Sequence, residues 1–169
     1  MTGDAARALY EDVSERLSSR DRRRAKEFDA FVAGAAGRLL HAATLLTAEA
    51  AGANPHAQQL LTAALARTYA DWDRLRGEDP YDRTRQELAT RFARGAWRHH
   101  RPCGGVLARL TAQERLILVL RLYEGVAEEQ TAALLGIPAD RVRAICTRAV
   151  AVMRGTAPKP SRPRLREMS

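Results

Sequence analysis

The chain has 169 residues, room for one ordinary domain or two small ones, which excludes the large catalytic folds. With 46% hydrophobic residues it can bury a core, while its longest apolar run, Leu116 to Leu120, is far too short to cross a bilayer. Twenty-eight basic against 20 acidic residues give +8; only Lys26 and Lys159 are lysines, so the excess is guanidinium, which suits phosphates and base edges.

Apolar residues recur at helical spacing nearly everywhere and no alternating strand pattern is found, so the chain reads as all-α. A first amphipathic stretch carries Leu9, Val13 and Leu17 and is expected to break at Ser18 and Ser19 ahead of the basic run Arg20 to Lys26. Residues 1–22 therefore read as an N-terminal helical extension. A second helix runs from Phe28 through Phe31, Val32, Leu39 and Leu46, and a third carries Leu61, Ala64, Leu65, Thr68, Tyr69 and Trp72. Residues 51–55, Ala-Gly-Ala-Asn-Pro, have turn composition and separate the two.

Asp79 and Pro80 open a fourth helix as N-cap and first helical residue, and that helix is expected to reach about His100. Leu88, Ala89, Phe92, Ala93 and Ala96 share one of its sides, and Arg91, Arg94, Arg98 and Arg101 the other, with Trp97 at the border. Between Arg83 and Arg109 seven arginines face one acid, Glu87. This face lacks the interleaved acids that would make i,i+4 pairs, so it reads as a phosphate-contacting stripe, against the plainer reading of a solvated charged face. Residues 101–105 break the helix, and a joint of 102–106 divides a domain over 23–101 from one over 107–155.

Thr111 and Glu114 form a capping box that starts a helix over Leu116 to Tyr123, apolar nearly all round and expected to be buried, and Gly125 ends it. From Glu128 the spacing fits a helix-turn-helix. Ala132 falls at the close approach of the helices, Gly136 at the turn needing positive φ, Ile137 and Val142 in the core, and Ile145 on the inner face. Pro138 sets where the second helix begins. Arg141, Arg143, Thr147 and Arg148 remain outside, able to enter a major groove. The plainer alternative is a trihelical packing unit with a solvated basic face. Residues 156–169, rich in proline and arginine, read as a disordered basic tail.

Cys103 and Cys146 lie far apart and read as free thiols. His99, His100 and Cys103 make an incomplete ligand set, so no metal is expected, and no cofactor. No catalytic triad, phosphate loop or carboxylate pair is found, so the chain does not read as an enzyme. The N-terminus lacks the pattern of a signal peptide, which points to the cytoplasm and away from a membrane.

The segment from Leu110-x-x-x-x-Arg115, through Leu-Arg-Leu-Tyr-Glu-Gly at 120–125 and Glu-x-x-Thr-Ala-x-Leu-Leu-Gly at 128–136, to Arg148-Ala149 resembles a bacterial sigma factor of the extracytoplasmic-function (ECF) group. Residues 27–47, 64–72 and 78–80 resemble its actinobacterial members. The resemblance implies two small helical domains, the C-terminal one a helix-turn-helix; the family usually joins them through tens of flexible residues, whereas here they are joined by a short linker. It implies partners: double-stranded promoter DNA, core RNA polymerase and a restraining anti-sigma protein. Arg141, Arg143, Thr147 and Arg148 would read the upstream promoter element, and Arg91, Arg94, Trp97 and Arg98 the melted downstream one. Leu60, Leu61, Ala64 and Leu65 would lie on the polymerase-binding helix.

This chain departs from the family's pattern there, with Gln58, Gln59, Thr62 and Ala63 in place of an acidic stretch. Thr90, Arg83 and Ile145 also stand where the family usually carries other residue types. The alternatives are a sigma-like helix-turn-helix regulator that no longer docks on polymerase, or a decoy for an anti-sigma protein. The five residues 101–105 span at most roughly 18 Å, which favours a compact packing of the halves.

Overall fold

The computed structural model describes residues 2–75, 77–95 and 104–155. Six α-helices account for most of them: α1 (Thr2–Thr47), α2 (Pro55–Ala70), α3 (Pro80–Gly95), α4 (Ala112–Leu118), α5 (Glu128–Leu135) and α6 (Ala139–Met153). A 3₁₀ turn, Trp72–Arg74, follows α2, and α4 continues as a π-helical turn over Val119–Tyr123. Among the described residues there is no β-strand, only two isolated bridges. The all-α reading holds.

The expected break at Ser18 and Ser19 does not occur. α1 is continuous over 46 residues, a rod of roughly 69 Å at 1.5 Å per residue. Two serines cost a helix only a few tenths of a kcal/mol each when neither glycine nor proline is present. Ion pairs one turn apart support the stretch: Arg7 with Glu11, Asp12 with Arg16, and Arg23 with Glu27. By length and composition α1 could also cross a membrane, with a mean hydropathy of 1.3 over its qualifying window. Core helices pass the same test, and Leu39, Ala42, Ala43 and Leu46 of α1 are buried.

One apolar cluster serves both halves of the chain. Leu39 and Leu46 of α1, Leu61 of α2 and Leu88 and Phe92 of α3 join Leu107, Leu110, Leu116, Leu120 and Ala149. The halves therefore pack against each other, as a short joint favours. Leu122 departs from the expectation that 116–123 is wholly buried, being 62% exposed. Ala93, placed by the helical wheel on the core side of α3, is exposed as well.

The end of α1 is where the elements meet. Its last carbonyls have no intrahelical donors, and Arg115, buried in α4, donates from Nε to the carbonyl of Leu46 at 2.7 Å and from Nη1 to that of Leu110 at 2.8 Å. Its guanidinium also lies 5.9 Å from the ring centroid of Phe92. Two residues on, Ala48 adopts a positive φ of 55° and its carbonyl accepts from the Gly105 amide at 2.9 Å. That approach is so close that a Cβ on Gly105 would stand 2.5 Å from the Ala48 carbonyl carbon.

Glu49 then reaches forward to cap α2. Its carboxylate accepts from the backbone N–H groups of His56 and Ala57 at 3.1 and 2.8 Å, from His56 Nδ1 at 2.8 Å and from Thr47 Oγ1 at 2.8 Å. The neighbouring Asn54 has no side-chain capping bond of its own; its amide donates to Thr44 Oγ1 instead. Burial alone would raise the Glu49 pKa, but these donors outweigh it and hold the carboxyl below its ordinary value.

A second buried carboxylate joins the halves. Glu124, after the π turn, accepts from the Tyr81 hydroxyl at 3.0 Å on each oxygen, and Arg38 and Arg85 lie 3.7 and 3.9 Å away. Burial, then the bond to Glu124, pushes the Tyr81 pKa far above its ordinary value, so the phenol remains a donor.

Two consequences for stability follow. Gly105→Ala should destabilise the fold by about 1–3 kcal/mol, because backbone rather than a pliable side chain occupies the space the methyl needs; urea unfolding measures it. The contribution of Glu49 is fully present above the ordinary glutamate pKa of 4.5 and is lost as pH falls through the lower folded value. Glu49→Gln should therefore cost about 1–3 kcal/mol at pH 7, and the gap to wild type should narrow in thermal melts as the pH is taken below 4.

Candidate nucleic-acid interface

The trihelical unit α4–α5–α6 is built on a second small cluster, Ile117, Ala132 and Val142, with Ile137, Ile145 and Cys146 packed against it. The unit starts at the expected capping box: Thr111 Oγ1 accepts from the Glu114 amide and the Glu114 carboxylate accepts from the Thr111 amide. α5 ends at Gly136 with φ 66° and ψ 33°, the left-handed residue the turn requires. Pro138 is the N-cap of α6, one residue before the helix proper. Val142 is fully buried, Ala132 nearly so, and Ile145 half-buried on the inner face. Burial raises the pKa of the Cys146 thiol above its ordinary value.

Arg141, Arg143, Thr147 and Arg148 are all exposed along α6, the arrangement expected of a helix that enters a groove. Their partners differ. Arg143 makes a two-pronged pair with Glu128 of α5, at 3.2 Å from Nε and 2.7 Å from Nη2, while 71% of its side chain stays exposed. The bond to Glu128 also raises its pKa. Arg148 donates from Nε to Glu114 at 2.9 Å and remains 66% exposed. Thr147 turns its hydroxyl back to the Arg143 carbonyl at 2.9 Å. Arg141 has no ion-pair partner among the described residues. Two of the three arginines thus rest on carboxylates of their own unit, yet neither is covered.

Glu114 and Glu128 were legible in the sequence only as a capping residue and as the first position of the motif. Glu114 is buried, and its pKa is held low against the effect of burial by the Thr111 bonds first and Arg148 second.

The basic stripe of α3 is narrower than the sequence implies. Arg83 is bound to Asp71 at 3.0 Å, and Arg85 to Asp82 at 3.0 Å. The lack of i,i+4 acids does not hold either, since Glu87 pairs with Arg91 at 2.7 Å. Arg94 is exposed, and with Arg91 and Glu87 it lines an open cleft of about 550 Å³ against His56, Gln59, Leu60 and Ala63 of α2. Trp97, Arg98 and Arg101 lie outside the described residues, as do Ala96, the set His99, His100 and Cys103, and the tail 156–169.

Of the residues expected on the polymerase-binding helix, Leu61 and Ala64 are buried in the core, where they pack α2 on its neighbours. Leu60 and Leu65 are half-buried and packed on the same cluster. The exposed side of α2 instead carries Gln58, Gln59 and Thr62.

An all-α unit with a glycine turn and a basic, exposed second helix has the form of a helix-turn-helix. Residues 106–155 match the family model Sigma-70, region 4. The chain thus carries a sigma-factor-like DNA-binding region, of a regulatory rather than an enzymatic kind. No curated protein and no solved structure matches the chain at a significant level.

The two roles of Glu114, helix cap and partner of Arg148, can be told apart by stability. Glu114→Ala should cost about 0.5–2 kcal/mol through loss of the reciprocal cap, whereas Arg148→Ala, removing an exposed partner, should cost at most about 1 kcal/mol. Paired chemical unfolding curves give both values.

Proposed function

We propose that this protein is a sigma-factor-like transcription initiation protein of the cytoplasm, which binds core RNA polymerase and recognises promoter DNA through α6. The observation that carries the reading is the row Arg141, Arg143, Thr147 and Arg148, exposed on the second helix of a unit that matches sigma-70 region 4. Arg141 is ready to meet a guanine edge or a phosphate. Arg143 and Arg148 exchange a carboxylate for DNA, so Glu128 and Glu114 disfavour loose attachment to arbitrary duplex. Arg91 and Arg94, at the α2–α3 cleft, support a role for α3 in contacting the melted strand, together with Trp97 and Arg98.

A second reading is a helix-turn-helix regulator that works without polymerase. The observation favouring it is the surface of α2, where Leu61 and Ala64 are committed to the core and the exposed Gln58, Gln59 and Thr62 carry no acid. An anti-sigma decoy is the remaining alternative, and its mark is a tight protein complex without a DNA footprint.

Arg141→Ala should weaken specific duplex binding by about 5- to 100-fold, the range of one good base contact, and leave association with core polymerase unchanged. Glu128→Gln should tighten binding to non-specific duplex. Fluorescence anisotropy at fixed salt reads both, and pull-down on core polymerase followed by run-off transcription separates the two readings. Absence of any sequence-specific duplex binding would defeat both.

A further inference from the structure

The first five turns of α1 stand apart from the core. The first tertiary contacts along the described side chains are those of Arg20 and Arg24 with Asp73, at 3.3 and 3.6 Å, followed by Phe28 against Tyr69 and Trp72. Upstream, Leu9, Tyr10, Val13 and Leu17 are 66%, 73%, 52% and 56% exposed. At 100° per residue these four fall within about 100° of one another, an apolar stripe of the width a helix normally buries. Among the described residues nothing covers the stripe.

The charges beside the stripe say what fits it. Residues 7–15 carry Arg7 against Glu11, Asp12 and Glu15, whereas 16–26 carry six basic residues against Asp21. A parallel copy would place like against like. An antiparallel copy places the acidic segment on the basic one. The match goes further when a two-fold axis passes beside Ser14. On one flank of the stripe lie Arg7, Ser14 and Asp21, spaced by seven, and on the other Asp12 and Arg16. A two-fold perpendicular to the pair brings each flank against itself, so Arg7 meets Asp21 of the other copy and Asp12 meets Arg16. In the same register Leu17 falls between the levels of Val13 and Leu9 of the facing helix, a knob between two neighbours.

We propose that the N-terminal part of α1, residues 7–21, is a self-association surface whose occupant is a second copy of this chain, packed antiparallel about Ser14. The contact spans about four helical turns, which sets the association at the weak, concentration-dependent end. The two cores then sit at opposite ends of a paired rod, with Phe28 and its mate roughly 42 Å apart along the axis. This surface is separate from α6 and does not depend on the DNA-binding reading.

The test uses the full-length chain in sedimentation equilibrium, where a reversible shift toward twice the 18.7 kDa of one chain is expected. Leu17→Arg should abolish the dimer while leaving helix content and melting temperature unchanged at concentrations where the wild type is itself monomeric, because that side chain is exposed in the single chain. Arg7→Glu and Asp21→Arg should each weaken the dimer by about three- to tenfold, two like-charge contacts being created per pair. The double variant should restore it to within about twofold, since only an antiparallel register brings positions 7 and 21 together. A chain that stays monomeric over the whole range, a dimer indifferent to Leu17→Arg, or charge reversals that add rather than cancel would each overturn the proposal. So would a stripe protected only when nucleic acid or an unrelated protein is added.

Discussion

The molecule closes on the carboxyl end of α1. Over four residues, 46 to 49, the chain presents two carbonyls and a carboxylate that must each be satisfied away from water. Arg115 takes the Leu46 carbonyl, Gly105 takes that of Ala48, and the start of α2 takes Glu49. α4, the joint and α2 are thereby tied to one point, and the apolar cluster fills in around it. A positive charge at a helix carboxyl end and a negative one at a helix amino end both sit favourably in the fields of aligned peptide dipoles. The strained φ of Ala48 is tolerated because these contacts over-determine it.

Glu124 does for the far side of the molecule what Glu49 does for the near side. It lies in the turn before α5 and gathers Tyr81 and Arg85 from α3 and Arg38 from α1. Arg38 also donates to the carbonyl of Tyr123 at 3.2 Å, and its guanidinium lies over the Tyr81 and Tyr123 rings, 5.6 Å from each centroid. Burying a carboxylate is costly unless donors surround it, so this hub constrains how α1, α3 and the helix-turn-helix sit together. The DNA-binding unit is held against the other half by polar groups as well as by the shared core.

Charge on the functional faces follows the same logic. The sequence shows a surplus of guanidinium, and the fold spends much of it internally: Arg83 on Asp71, Arg85 on Asp82 and Glu124, Arg91 on Glu87, Arg143 on Glu128, Arg148 on Glu114. Among the described residues of α3 and α6, Arg94 and Arg141 are exposed arginines without an ion-pair partner. Exposed pairs contribute little to stability. The pairs of α6 therefore matter more for how readily the helix gives up its carboxylates to a polyanion than for holding the fold.

The helical class, the capping box at Thr111, the glycine turn at 136 and the outward row on α6 were legible in the sequence because each rests on local chemistry, namely periodicity, a side chain reaching three residues along, or a backbone angle only glycine adopts freely. The continuity of α1 was not, since two serines read as a break although nothing in them forbids a helix. Nor were the roles of Leu61 and Ala64, the exposure of Ala93 and Leu122, or the partners of the arginines. Those depend on which surfaces α2 and α3 turn toward α1, and on acids brought near from up to 86 residues away, as Glu124 is to Arg38. Local propensity determines which segments become helices and where they stop; only packing in three dimensions decides which charges are already neutralised and which are left to meet another molecule.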